Sequence, residues 1–368
     1  MTSGTTPVLR PADVGEVRAA LLESDGTLGI TGAGTAAAWA GPLGPVDAVL
    51  DTTALTGVIA HNPGDMTVSV RAGTPLAALQ DELAGHAQHV ALDAARIADG
   101  ATVGGLFATG DAGPAALVYG SLRDVVIGVT LVLADGTIAH SGGHVIKNVA
   151  GYDLAKVVHG SYGTLAVVAE VVLRLHPMPK AAVTVERPCA LTEAAEVAAR
   201  VLGGPTEPAA LEWTSDEVLL LRLEGTDSAL GARADRVREV LGAGARVVEA
   251  DPWARHAALT RGDPDAAVLR IGVRPSRLPS LLASLPATAT TAGLGTGVAT
   301  ITVPAGAVAG VHTLVNAAGG TSVLRSRPTG AHLPACGTPP SAVAVLRAVK
   351  RVFDPDNRLG PGRFDPWM

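Results

Sequence analysis

Apolar positions change period repeatedly along the chain, and each change predicts an element. Val14, Val17 and Leu21 share one helical face behind Asp13, whose offset from Glu16 is a capping-box signal, and Gly26 follows the end. Leu28-Gly-Ile30 runs into Thr31-Gly-Ala-Gly-Thr35, and strand-like segments follow at 46–51 and 66–71. Thr74-Pro75 predicts a helix start with Thr as N-cap and Pro in the first turn, with Leu76, Leu79 and Leu83 as its buried stripe and Gly85 at its end. Past a glycine-rich stretch, 124–134 reads as a strand, Asp135-Gly136 as a turn and 137–141 as the returning strand. A helix at 153–158 and a strand at 165–175 complete this half.

His176-Pro-Met-Pro-Lys180 reads as a boundary, because neither proline suits an element interior. Beyond it come a strand at 182–186, a helix at 192–202, strands at 210–213 and 218–223, and a helix at 228–241. That alternation predicts an α+β unit with an antiparallel sheet. A helix at 340–353 ends at Asp354-Pro355, and no internal repeat is visible.

The 368 residues suit two domains, and 48% hydrophobic against 17% charged residues supports sizeable cores. A net charge of −6 without a basic run argues against a nucleic-acid groove. Mean hydropathy of +0.33 raises the question of a membrane. The best apolar run, 165–175, is interrupted by Glu170 and Arg174 and falls short of the roughly 20 residues a span needs. No transmembrane segment or secretory signal is visible, so a cytoplasmic location is expected. Cys189 and Cys336 form no CxxC pair, so no metal or iron–sulfur site is expected in this chain.

Gly32-Ala-Gly34 follows a strand, Ala37 holds a third small position, and Asp51 ends the next strand about 20 residues on, which nearly matches the NAD fingerprint. Gly41-Pro-Leu-Gly-Pro45 leaves no room for the crossover helix that fingerprint needs. The loop is then either an ordinary tight turn or a nest of backbone N–H groups for an anion, with Thr31 and Thr35 adding hydroxyls. A second loop, Asp99-Gly-Ala-Thr-Val-Gly-Gly-Leu-Phe-Ala-Thr-Gly110, implies close backbone approach. Two such loops suit a pyrophosphate held from both sides.

All three tyrosines, Tyr119, Tyr152 and Tyr162, fall in one stretch of a chain with 3% aromatic residues. The clustering suits either a planar ring or core packing. Lys147 beside Asn148 offers charge stabilisation to a reduced ring system, or is a solvated loop lysine.

Taken together, Ile30-Thr-Gly-Ala-Gly-Thr35, Gly100-Ala-Thr-Val-Gly-Gly105, Tyr119-Gly-Ser-Leu-Arg-Asp124, Val145-Ile-Lys-Asn-Val-Ala-Gly-Tyr-Asp-Leu154, Gly160-Ser-Tyr-Gly-Thr-Leu165 and the tail 352–364 carry a likeness. The chain resembles the FAD-binding domain of the vanillyl-alcohol-oxidase/p-cresol-methylhydroxylase (PCMH) type, and within it the FAD-binding subunits of bacterial glycolate oxidases. The resemblance implies an α+β fold: a two-subdomain PCMH-type domain over 1–178, then an α+β cap with antiparallel sheet over 179–368 whose C-terminal helix and tail return to the first domain. It implies that Thr31, Gly32, Ala33, Gly34 and Thr35 hold phosphate. Gly100, Ala101, Thr102, Gly104 and Gly105 line the dinucleotide, Gly163, Thr164 and Leu165 approach the flavin, and Ser121, Asp124 and Tyr152 add contacts. Relatives with covalent FAD use a His in the first loop, where Ala33-Gly-Thr35 stands here, so noncovalent FAD is expected.

The Gly-Asp-Gly-Asn and Glu-His-Gly motifs of the related catalytic enzymes are missing from 180–368, so direct substrate oxidation by this chain is in doubt. Besides Lys147, the candidates for catalysis are Arg325, Arg327 and His332, with the arginines as a carboxylate clamp or as structural groups. The resemblance implies an FAD-binding subunit of a 2-hydroxy-acid dehydrogenase that passes electrons from a small hydroxy acid through flavin to an iron–sulfur subunit. A second flavoprotein subunit is expected beside it, with membrane association only through partners. A stand-alone flavin dehydrogenase and a non-catalytic FAD-bound scaffold are the rival readings.

Overall fold

The computed structural model describes residues 6–146, 150–263 and 265–368. Its architecture is α+β, as expected, with three principal sheets. A small parallel sheet joins Val8–Leu9, Ala48–Asp51 and Leu28–Thr31 in that order. The connection from 32 to 47 contains turns but no helix, so Leu28–Thr31 pairs directly with Ala48–Asp51 and no Rossmann crossover forms. Val17 and Leu21 of the helix Val14–Glu23 pack with Leu28 and Leu50 in this sheet's core.

A five-stranded antiparallel sheet runs Val58–Asn62, Thr67–Arg71, Val167–Arg174, Val126–Val132, Ile138–Gly142. Its core takes Leu76, Leu79 and Leu83 from the helix Leu76–Ala84, the stripe that helical spacing predicts. The start of that helix differs. Pro75 occupies the cap position, and the Thr74 hydroxyl instead accepts from Gly57 N at 2.9 Å, tying the helix start to the strand turn. The predicted strand at 124–134 also starts late. Leu122–Val125 is a helical turn closed by a capping box between Ser121 and Asp124, and extended pairing begins at Val126. His176-Pro177, expected to be unstructured, forms a two-residue strand against Gln88–His89.

All strands of the third, eight-stranded antiparallel sheet lie between 181 and 326. Its order is Arg246–Val248, Ala181–Pro188, Val218–Gly225, Ala210–Thr214, Ala289–Gly293, Val298–Val303, Ala267–Gly272, Thr321–Ser326. The order is symmetric about its centre. Each half is a β-α-β-β-α-β unit, and the two join where Trp213 pairs with Ala292. This is an internal repeat that residue identities do not display.

Period-two alternation divides the faces of this sheet. Leu211, Trp213, Leu221, Leu223, Leu269, Ile271, Ala299, Ile301 and Leu324 join the core beneath the helices Leu191–Leu202, Asp227–Leu241, Leu278–Ser284 and Val308–Ala317. The residues between them, Glu212, Arg222, Arg270, Thr300 and Arg325, belong to the opposite face, which meets the glycine-rich segments. Among the described residues no helix is long and apolar enough to cross a membrane.

After the helix Val343–Phe353 the chain returns to the small parallel sheet. Leu359 bridges Leu28, and the Arg358 guanidinium donates to the carbonyls of Leu21, Ser24, Gly26 and Ala134. Behind it, Lys350 Nζ donates to Thr164 O, Leu359 O and the buried Asp354 carboxylate.

Replacing Arg358 by Ala leaves four carbonyls without their shared charged donor, and should lower unfolding stability by about 3 kcal/mol in urea titrations. A second expectation concerns acid. His159 lies edge-on to Phe107 at 5.3 Å, and burial holds its imidazole down at about 4, against an ordinary 6.5. The unfolded chain therefore binds the extra proton, so stability present above pH 6.5 is lost as pH falls towards 4, by about 1.4 kcal/mol per pH unit for this group. The stability–pH slope of a His159→Asn variant should be shallower by one proton across that window.

Candidate functional site: a cleft between two glycine loops

The first loop leaves the strand Leu28–Thr31 and turns at Gly34, whose φ of +75° needs glycine and whose side-chain position faces open space. Among the described residues, the N–H groups of Ala33, Gly34, Thr35 and Ala36 meet no hydrogen-bond acceptor. The second loop enters the helix Val103–Thr109, capped by Thr102, whose hydroxyl accepts from Gly105 N at 3.1 Å. The loops touch where a Cβ on Gly32 would lie 2.6 Å from Thr102 Oγ1. A Cβ on Gly104 would lie 2.7 Å from the Ala72 methyl, so only glycine permits either approach. Between the loops lies a cleft of about 850 Å³ including its open mouth.

Of the residues expected to hold cofactor, Thr31, Gly32, Ala33, Gly34, Thr35, Thr102, Gly104, Gly105 and Gly163 line this cleft. The others do not. Gly100, with φ +83°, caps a 3₁₀ turn, and Ala101 is buried with its carbonyl accepting from Leu76 N. Ser121 and Asp124 are engaged in their capping box. Tyr152 is 90% exposed and Tyr119 bonds to Glu224, so the tyrosine cluster does not converge. Thr164 gives its carbonyl to Lys350, and Leu165 belongs to the core of the five-stranded sheet.

The catalytic candidates are dispersed. Arg325 is buried and paired with Asp111, Nη2 to Oδ1 at 3.0 Å. Arg327 donates to the carbonyls of Ala38 and Ala40. His332 is exposed. Of the two readings of these arginines, the contacts match the structural one: Arg325 holds Asp111, and Arg327 holds the segment after the first loop. Lys147 lies outside the described residues.

Sequence patterning missed the charged groups that shape the cleft. Arg96 Nε donates to Thr35 O at 2.8 Å, and its guanidinium stacks 4.1 Å from the Trp39 ring. Arg325 stacks on the same ring at 3.7 Å. Arg96 Nη1 is buried with no partner, and so is Asp111 Oδ2. Burial lowers the Arg96 guanidinium to about 10, which leaves it a cation at neutral pH. Arg363 Nη1 donates to Ala37 O at 2.8 Å and to the carbonyls of Trp39 and Gly41. Tyr162 lines the cleft at φ +53° with its ring edge-on to Phe364 at 5.6 Å, and burial pushes its hydroxyl up to about 12, so it stays protonated.

A buried, half-satisfied arginine beside unpartnered N–H groups is a set of donors awaiting an anion, and the glycine walls admit an extended ligand. Those features fit the pyrophosphate of a dinucleotide. Residues 6–142 match the family described as "FAD binding domain". Glycolate oxidase subunit GlcE of Escherichia coli (strain K12) is 34% identical over 193 residues, covering 52% of this chain and 54% of that protein. D-lactate dehydrogenase of Archaeoglobus fulgidus is 49% identical over 80 residues, covering 22% of this chain and 18% of that protein. The fold resembles alkyldihydroxyacetonephosphate synthase, with a TM-score of 0.70 and 16% identity over 96% of this chain and 75% of that one. This chain spans about half the length, or less, of the curated relatives it matches.

These observations define an FAD-binding site. Residues 6–142 are similar to FAD-binding domains, and the chain's cofactor is FAD. Arg96→Met removes the half-satisfied cation while keeping the apolar stem over Trp39. It should weaken FAD affinity by about 10- to 100-fold, read from visible absorbance per protein after gel filtration, with the apoprotein fold unchanged by circular dichroism.

Proposed function

We propose that the chain is the FAD-binding subunit of a glycolate-oxidase-like 2-hydroxy-acid dehydrogenase, with 1–178 as the cofactor unit and 179–368 as its cap. The observation that supports this most directly is the cleft, whose two glycine walls and Arg96 suit a noncovalently held dinucleotide. The similarity to GlcE and to D-lactate dehydrogenases supports small 2-hydroxy acids as the substrate class. When bound, FAD supplies two-electron acceptance from the substrate carbon. The chain's own groups do the rest. Backbone N–H groups of Ala33 to Thr35 hold the phosphates, and Arg96 neutralises them. Thr102 and Gly105 keep the second loop in place, and protonated Tyr162 offers a donor or an aromatic edge to the ring system. A partner iron–sulfur subunit and a second flavoprotein subunit would take the electrons onward, and any membrane association would come through them.

The purified chain should be yellow and release FAD on acid treatment. Anaerobic addition of glycolate or D-lactate should bleach the flavin, with this chain alone or after the partner subunits are added. A colourless protein that takes up no FAD would overturn the proposal. FAD that no 2-hydroxy acid reduces, even in the assembled complex, would leave only the scaffold role.

A further inference from the structure

A second cavity, of about 500 Å³ including its mouth, lies between the polar face of the eight-stranded sheet and the segment 112–116. Its polar lining includes Glu212, His256, Arg270, Thr260, Thr291 and Thr300. Three short-range facts make this a shaped site. His256 Nε2 and Glu212 Oε2 form a pair at 3.2 Å, both residues being buried. The Thr260 and Thr291 hydroxyls bond to each other at 3.1 Å. Arg270 is held by one nitrogen, Nη1 donating to Gly110 O at 2.6 Å.

The charges at this site do not cancel. Arg325 nearby is matched by Asp111, and Glu212 faces His256. Burial raises the Glu212 carboxyl, which disfavours a negative charge there, and the His256 ring faces it. Arg270 has no carboxylate within salt-bridge distance among the described residues. Arg270 is thus a cation with no paired carboxylate, which favours an anionic occupant. The apolar lining residues are themselves short, Ala95, Ala112, Pro114, Ala116, Val298 and Ala299, and a space of about 500 Å³ including its mouth admits only a compact occupant.

The cavity also adjoins the dinucleotide cleft. Arg96 and Asp111 line the cleft, and their chain neighbours Ala95 and Ala112 line the cavity. We propose that this cavity binds a small 2-hydroxy or 2-oxo carboxylate. Arg270 receives the carboxylate with the Thr291 and Thr300 hydroxyls, and the His256–Glu212 pair faces the 2-oxygen. The proposal rests on the reading of the chain as a 2-hydroxy-acid dehydrogenase subunit, and identifies where that acid sits. It assigns the recognition of substrate to the central strands of the sheet and to the helix Pro252–Arg261, rather than to Arg325, Arg327 and His332.

The test is isothermal titration calorimetry of the FAD-loaded full chain with oxalate, an unreactive small dicarboxylate. One-to-one binding is expected, weakened about tenfold by Thr300→Val and more by Arg270→Gln. His256→Gln should weaken oxalate binding while leaving flavin absorbance per protein unchanged. Because Arg270 also supports Gly110, a variant that loses flavin is set aside, and Thr300→Val and His256→Gln decide. Yellow protein that binds no oxalate, or binds it equally in all three variants, overturns this site while the FAD reading stands. Failure to hold FAD at all overturns the reading beneath it.

Discussion

Strand periodicity is the constraint on which the rest of this molecule depends. Each residue of the eight-stranded sheet that points away from its helices must go somewhere, and there it meets a segment made mainly of alanine and glycine. Arginines on that face bridge the gap: Arg222 reaches Asp93, Arg270 reaches Gly110 O and Arg325 reaches Asp111. From the helix Pro252–Arg261, Arg261 reaches Asp99 and Ala95 O. A segment so poor in side chains has little with which to pack itself, so long charged donors from the sheet supply its shape. Charge-assisted bonds are the strong ones, and these are at least half-buried from water.

The same logic governs Trp39. A large ring in a glycine-rich surround would pack loosely, yet two guanidiniums stack on it and each also makes an in-plane bond, Arg96 to Thr35 O and Arg325 to Asp111. Asp111 is the only carboxylate in this group, and one of its oxygens is unpartnered. The cluster thus carries more positive than negative charge when empty. That excess costs stability in the free protein and is offset when an anionic cofactor arrives, which links cofactor binding to stability.

Much of this was legible in residues, and the exceptions have physical reasons. Gly32, Gly34, Gly104 and Gly105 announced a backbone that must come close to something, since no other residue has a use for so much freedom. Ser121 and Asp124 misled because a capping box and a ligand contact use the same short polar side chains. Tyr152 misled because proximity in sequence to Tyr162 is not proximity in space. Arg96 and Arg270 were missed because a lone arginine in an alanine- or valine-rich run has no spacing to betray it. The duplicated β-α-β-β-α-β unit was invisible for a deeper reason: a sheet core accepts any mixture of Val, Leu and Ile that fills the volume, so two copies can diverge while their topology persists.

One consequence follows from Arg358 and Arg363. Apart from Ala134, the carbonyls they hold lie between Leu21 and Gly41, more than 320 residues back along the chain. During synthesis the ribosome delivers both glycine loops early, but the groups that clamp the first loop emerge only after both halves of the large sheet. A nascent chain therefore displays its dinucleotide loops for most of its elongation with Arg96 in place on Thr35 but without the Arg363 bonds to Ala37, Trp39 and Gly41. A chain cut short after the eight-stranded sheet would keep both glycine loops and lack the tail arginines that hold the first loop's flank.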